Sequence, residues 1–253
     1  MKSVAIRNVI IGKGSPKICV PIIGITEKDI IEEVKNAMIL NIDLIEWRAD
    51  WYESCFNTAK VIEILKEIRK YVEQVPILFT FRTAKEGGAK EITIKEYETL
   101  LCAIIESKQA DMVDIELFIG EDTVIPLLKK AKQFSVKTVL SSHDFEKTPK
   151  KQEIIARLCR MQELGGDITK IAVMPRNQKD VLTLLCATEQ MQSQYADRPF
   201  ITMSMGGLGS ISRMIGEVFG VSITFGAGEH SSAPGQIEVQ KLKQILEIVH
   251  DSI

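Results

Sequence analysis

No two cysteines in this chain form a Cys-x-x-Cys pair: the five (Cys19, Cys55, Cys102, Cys159 and Cys186) are scattered, four of them inside apolar stretches. That spacing speaks against zinc and dithiol motifs and predicts reduced, buried thiols rather than a disulfide framework. Excess charge of either sign is also missing, since 32 Lys and Arg against 34 Asp and Glu leave a formal net charge of −2. With a pI near 6.0, the chain has no basic field for nucleic acid or an anionic membrane, and a small molecule is the expected partner. No apolar run reaches membrane length, because Arg213 and Glu217 interrupt the longest candidate. The amino end, Met1 to Gly12, lacks the long apolar core of a signal peptide, so the expected location is the cytoplasm. No internal repeat, low-complexity tract or long linker marks a domain boundary.

What the 253 residues do contain is an ordinary globular composition, 45% hydrophobic and 26% charged, with charge placed in an unusual way. Asp43-Leu-Ile-Glu46-Trp-Arg48, Pro76-Ile-Leu-Phe-Thr80-Phe-Arg82, Met112-Val-Asp114-Ile-Glu116-Leu and Asp167-Ile-Thr-Lys170-Ile-Ala-Val alternate with period two. One face carries Glu46/Arg48, Thr80/Arg82, Asp114/Glu116 or Lys170, while the other is Ile45/Trp47, Phe79/Phe81, Val113/Ile115/Leu117 and Ile171/Val173. If helices cover the apolar face, the charges point into a shared interior, where burial is costly unless they pair with one another or with a ligand.

Strand-like runs fall near residues 18–23, 43–48, 76–82, 112–117, 136–142, 168–173, 200–205 and 222–225, after a hairpin candidate over Val4 to Ile11. Amphipathic stretches separate them: Lys28–Leu40, Thr58–Val72, Thr93–Lys108, Val124–Phe134, Lys150–Leu164 and Lys179–Gln194. Eight strand-helix units in this length predict a single α/β domain over residues 1–253, a (β/α)8 TIM barrel with a short N-terminal β-hairpin. A doubly wound open sheet is the alternative, but it would cover the charged faces with helices. The Gly- and Ser-rich stretch Gly226–Gln236 after the last strand suits a mobile loop over the carboxyl end of the barrel.

Lys170, flanked by Ile168, Ile171 and Ala172, is out of place in a strand unless its amine is used or paired. Desolvation and nearby Arg48, Arg82 or Arg213 would free it as a nucleophile; the plainer reading is a lysine neutralising Asp114 or Glu116. His143 closes the fifth strand at the rim, either as a structural residue or as a proton shuttle facing the lysine. Glu86, just past the third strand, is either a solvated loop carboxylate or the group that holds the imidazole by one nitrogen. Arg213 is expected to open the helix after the seventh strand, where an anion is gripped, or else to lie on the surface. Met203 and Met205 read as core or pocket wall. Glu46, Asp114, Glu116 and His143 converge enough to raise a metal site, but the cations roughly cancel their charge, and metal-free chemistry ranks higher.

Taken together, Glu46-Trp-Arg48, Phe79-Thr-Phe-Arg82 with Lys85-Glu86-Gly-Gly, Ser142-His143-Asp-Phe, Lys170-Ile-Ala-Val-Met-Pro, Ile201-Thr-Met-Ser-Met205, Ile211-Ser-Arg213 and Ser232-Ala-Pro-Gly-Gln236 resemble type I 3-dehydroquinate dehydratases of the shikimate pathway. The likeness runs from about Pro16 to near the carboxyl terminus, and jointly the motifs are highly specific. The resemblance implies a cofactor-free lyase, commonly a homodimer, that converts 3-dehydroquinate to 3-dehydroshikimate through an imine on Lys170. It also implies that His143 moves protons with Glu86 as orienting partner, and that Glu46, Arg48 and Arg82 bind the hydroxyl and reacting region. Arg213, Ser232 and Gln236 would hold the far side of the ring with its carboxylate, and Met203, Met205, Phe225 and Ala233 would be wall. Two positions depart from the pattern: Pro21, where many relatives carry a small hydroxyl residue, and Gly206 to Gly209, where a lysine or other polar residue is common. The rivals are a class I aldolase, a metal-dependent barrel lyase and a non-catalytic sugar-acid binding barrel.

Overall fold

A computed structural model describes residues 2–229 and 231–253; His230, which the sequence places in the Gly- and Ser-rich loop, lies outside the described residues. The period-two runs are strands and the amphipathic stretches are helices. After the hairpin β1 (Val4–Ile6) and β2 (Val9–Ile11) come β3 (Lys17–Ile22), α1 (Glu27–Ile39), β4 (Leu44–Arg48), α2 (Thr58–Val72), β5 (Ile77–Thr80) and α3 (Ile94–Ser107). The alternation continues through β6 (Met112–Glu116), α4 (Glu121–Phe134), β7 (Lys137–Asp144), α5 (Lys151–Leu164), β8 (Ile168–Val173) and α6 (Gln178–Gln190) to β9 (Phe200–Ser204). Two helices of four residues each, α7 (Gly206–Gly209) and α8 (Ile211–Met214), then precede β10 (Ile223–Ala227), β11 (Ile237–Glu238) and α9 (Val239–His250).

Strands β3 to β10 lie side by side and parallel in chain order, curled so that β10 pairs with β3. At the seam the Ser222 N–H donates to the Phe200 carbonyl at 3.0 Å. This is the expected barrel, with one addition: β11 pairs with the last two residues of β10, so the loop that follows is shorter than the sequence suggested. Other departures are local. Helix α6 passes into a π-helical turn over Met191–Tyr195, and the helix expected after β9 is two short helices, α7 and α8, the first built of three glycines and a leucine.

Register is pinned by aspartates that precede alternate strands. Asp43 ahead of β4 accepts the Ile18 N–H of β3 at 2.8 Å, Asp111 ahead of β6 accepts the Ile77 N–H of β5 at 2.8 Å, and Asp167 ahead of β8 accepts the Thr138 N–H of β7 at 3.0 Å. A slip of one residue would break these bonds and turn every charged side chain outward.

Two apolar layers result. Ile45, Trp47, Phe79, Phe81, Val113, Ile115, Ile171 and Val173 pack outward against the helices. Inside the barrel Leu44, Leu78, Met112, Val139, Ile168, Ile201 and Ile223 form a floor, on which Val4, Ile6, Val9 and Ile11 of the hairpin pack. The hairpin thus plugs the amino-terminal mouth. Above this floor the inward positions turn polar. Of the cysteines, Cys19 and Cys55 are buried as expected, but Cys102 and Cys159 are only half-buried and Cys186 is exposed, because they sit on helices near or at the solvent side. No helix among the described residues is long and apolar enough to cross a membrane.

Candidate active site

The polar layer is held at the carboxyl ends of the strands. Glu46 and Arg48 come from β4, Thr80 from β5 and Arg82 from the chain just beyond it, Asp114 and Glu116 from β6, Ser141 and His143 from β7, and Lys170 from β8. Every one of these side chains is buried or nearly so, with Lys170 only 4% exposed. Together with Glu86, Arg213, Met203, Met205, Phe225, Ser232, Ala233 and Gln236, most of them line one cavity whose water-accessible space is about 40 Å³. All residues singled out from the sequence as site residues therefore meet in one place, joined by Gly87, Phe145 and Ala172, which the sequence did not mark as site residues.

Lys170 Nζ lies 3.6 Å from Glu46 Oε1 and 3.8 Å from Asp114 Oδ2, and sits 4.3 Å from the centre of the Phe225 ring. Of the two carboxylates considered for pairing with it, Asp114 is a partner and Glu116 is not. Glu116 is taken by the segment that follows β5: Arg82 Nη1 donates to its Oε1 at 2.8 Å, and the Thr83 hydroxyl donates to its Oε2 at 2.7 Å. Arg82 also reaches Asp114 Oδ2 through Nη2 at 2.9 Å and Ser141 Oγ through Nη1 at 3.1 Å, while Ser141 donates to Asp114 Oδ1 at 2.6 Å. Burial opposes both charges of this pair, but mutual attraction outweighs it: Arg82 is pushed well above its ordinary range by Asp114, Glu116 and Glu86, and Asp114 is held below the carboxylate range by Arg82 and Lys170.

Glu86 is buried, not a solvated loop carboxylate. A 3-10 turn over Ala84–Glu86 carries it back over the barrel, and the turn closes with the Gly88 N–H on the Thr83 carbonyl at 2.8 Å. Only glycine fits at 88, where a Cβ would lie 1.9 Å from the Arg82 carbonyl oxygen. Glu86 Oε2 then accepts both the His143 backbone N–H and a hydrogen bond with Nδ1, each at 2.9 Å. Burial raises Glu86 to about 8 against the pull of Arg82. Burial, with Arg82, Lys170 and Arg48 nearby, holds His143 well below the ordinary imidazole value, so its ring is neutral.

Arg213 neither opens its helix nor lies on the surface. It is the third residue of the four-residue α8 and only 2% exposed. Its Nη1 contacts the Phe225 carbonyl at 3.4 Å and Met203 Sδ at 3.6 Å, whereas Nε and Nη2 have no partner. Among the described residues no carboxylate pairs with it, and burial alone lowers it to about 10. A buried guanidinium in this state is an unsatisfied anion site.

Above the cavity, Ser232 and Gln236 bond one another: Gln236 Oε1 accepts the Ser232 N–H at 2.8 Å and Gln236 Nε2 donates to Ser232 Oγ at 3.1 Å. The loop is moored outside the site by Asn36 Nδ2 on Glu229 at 2.9 Å and by the Gly206 N–H on the Pro234 carbonyl at 3.0 Å.

Comparison with known proteins fits this geometry. Residues 18–253 match the family described as type I 3-dehydroquinase. A 3-dehydroquinate dehydratase of Clostridioides difficile is 51% identical over 252 residues, covering 100% of this chain and 99% of that one. One of Bacillus subtilis is 50% identical over 250 residues, covering 99% of this chain and 98% of its own. Among solved structures, the type I enzyme of Clostridium difficile with covalently modified comenic acid superposes with a TM-score of 0.96 at 51% identity, covering 100% of this chain and 99% of that one. The 3-dehydroquinate dehydratase of Geobacillus kaustophilus gives 0.96 at 37% identity, covering 99% and 97%.

Proposed function

Because the chain belongs to the type I 3-dehydroquinase family, we propose that it dehydrates 3-dehydroquinate to 3-dehydroshikimate through an imine on Lys170, with His143 moving the protons. The observation that carries this reading is a buried amine sharing a cavity with a neutral imidazole that is held at Nδ1 by a buried carboxylate.

Proton loss beside a ketone is slow because charge collects on oxygen; converting the ketone to a protonated imine supplies a cationic electron sink. His143 takes a proton from the Lys170 ammonium, the free amine attacks the carbonyl carbon, and the imidazolium returns that proton to the carbinolamine hydroxyl, which leaves as water and gives an iminium of the same single positive charge. Glu46 and Asp114, which face Nζ, therefore match the intermediate as well as the resting lysine. His143, oriented by Glu86, takes the adjacent proton to give an enamine. The same imidazole then protonates the departing hydroxyl, and hydrolysis of the conjugated imine releases product and amine. The two unpaired nitrogens of Arg213 suit the substrate carboxylate, with Ser232 and Gln236 closing that side and Arg48 and Arg82 binding toward the reacting region. The enzyme acts as one domain and without cofactor; the family resemblance supports a homodimer working in the cytoplasm.

Enone absorbance with 3-dehydroquinate tests the reaction, and borohydride tests the intermediate. Reduction in the presence of substrate should leave one mass adduct on the Lys170 peptide, and Lys170→Ala should abolish adduct and turnover together. An active enzyme with no adduct, or with one on another lysine, would overturn the mechanism.

A further inference from the structure

Two residues beyond Arg48, and on the same parity as Glu46 and Arg48, stands a carboxylate that lines no part of the cavity yet is tied to three of its walls. Asp50 is 0% exposed. Its Oδ1 accepts from Arg48 Nε at 2.8 Å and from the Arg82 backbone N–H at 3.2 Å; its Oδ2 accepts from Arg48 Nη2 at 2.8 Å and from the Ala89 N–H at 3.0 Å. One carboxylate thereby joins the end of β4, the chain leaving β5 and the turn that follows Glu86.

We propose that Asp50 is a positioning residue for the dehydration, fixing the Arg48 guanidinium against the cavity by a two-pronged ion pair while it clamps the Gly87–Ala89 turn that carries Glu86 over the barrel. The inference rests on the reading above, in which Arg48 touches substrate. Its physical basis is the donor count. Each oxygen of Asp50 faces two N–H donors, and a fully buried carboxylate holding four such bonds has one orientation suited to it. The fork uses Nε and Nη2 of Arg48, so the plane of the guanidinium is set and Nη1 takes no part in holding it. Arginine chains have many rotamers; in a cavity of about 40 Å³, a guanidinium free to swing would misplace the reacting region by more than catalysis tolerates. The second pair of bonds locks the spacing between β4 and the turn after β5, which in turn determines how Glu86 meets His143.

Asp50→Asn is the decisive substitution, because it keeps size and shape. Whichever way the amide is turned, its NH2 replaces an oxygen that faced two donors, and the charge opposite Arg48 is gone. Expected is a fall in kcat/KM of roughly ten- to a hundredfold, with a circular dichroism spectrum like that of the wild type. Because Asp50 acts in part through Arg48, the Arg48→Ala/Asp50→Asn double variant should lose less than the product of the two single losses. Near wild-type kcat/KM for Asp50→Asn overturns the proposal, as do losses that multiply in the double variant. Should Asp50→Asn fail to fold, Arg48→Lys decides: it keeps the cavity charge but cannot make the fork, so a comparable loss is expected and near-normal kcat/KM overturns the idea. Enone formation by the wild type separates the two readings. With enone formed and the variants unaffected, the role of Asp50 alone falls; with no enone formed, the functional reading falls and this inference with it.

Discussion

At the scale of single residues, the pairing of Glu86 with His143 makes a pH prediction whose sign can be worked out. In the mechanism proposed above, the imidazole accepts a substrate proton at Nε2 only while Nδ1–H is donated to an ionised Glu86. The groups facing Glu86 are Arg82, Glu116 and Asp114, together with His143 itself, and burial dominates among them, raising the carboxyl to about 8. A raised carboxyl gains its working, ionised form only as pH increases through that value. The imidazole, pushed the other way, is already neutral there. The acid limb of kcat/KM, which reports the free enzyme, should therefore lie near 8, well above the ~6.5 of an ordinary imidazole. Glu86→Gln should remove that limb and lower turnover; a limb near 8 that survives this substitution would assign it elsewhere. These residues left signals of unequal strength in the sequence. Lys170 and His143 announce themselves, one by a charge in an apolar strand and the other by rarity and position. The burial of Glu86 was not legible, because it depends on a glycine turn folding back over the barrel. Asp50 continues the parity of Glu46 and Arg48 and so left a signal, but one indistinguishable from a loop carboxylate until its four donors are seen.

Elements, rather than residues, carried most of the fold signal. Six helices and eight strands were readable because two-sided burial imposes strict periods, and the extra β11 and the broken α7–α8 were not, because two- and four-residue elements have no period to read. The aspartates ahead of β4, β6 and β8 explain why parity held so well: each bonds a neighbouring strand and fixes the register by which charges point inward. The loop from Gly228 to Gln236 follows a different logic, being held by a few contacts at its margins. Gly235 has φ +78°, and a Cβ there would lie 2.2 Å from the Gly206 carbonyl oxygen, so this glycine lets the loop settle against α7. Gly235→Ala should lift the loop, raise KM several-fold through loss of Ser232 and Gln236, and increase amide exchange across residues 231–237. Unchanged KM and unchanged exchange would show that the loop does not close the site.

For the whole molecule, the organising feature is the set of charges buried in the barrel, within a chain whose formal net charge is only −2. The interior holds five carboxylates, Glu46, Asp50, Glu86, Asp114 and Glu116, and four cations, Arg48, Arg82, Lys170 and Arg213. Nearly every carboxylate already faces a cation: Asp50 faces Arg48, Asp114 and Glu116 face Arg82, and Glu46 faces Lys170. Glu86, the fifth, lies 3.6 Å from an Arg82 already shared by two others, and burial pushes it toward its neutral form. Arg213 is the reverse case, a cation with no carboxylate of its own. Such an interior has spare capacity for one organic anion and none for a divalent cation, whose binding would strip carboxylates from Arg82 or Lys170 and leave those charges buried and unpaired. No cluster of His, Cys, Asp or Glu suited to a metal occurs among the described residues. Activity should accordingly survive exhaustive chelation followed by assay in metal-free buffer, with the proposed imine on Lys170 supplying the electrophile that a metal provides in other lyases. Loss of turnover on chelation, restored by one particular divalent ion, would mean that a carboxylate leaves its arginine during the cycle, and the paired-charge account of this interior would have to be abandoned.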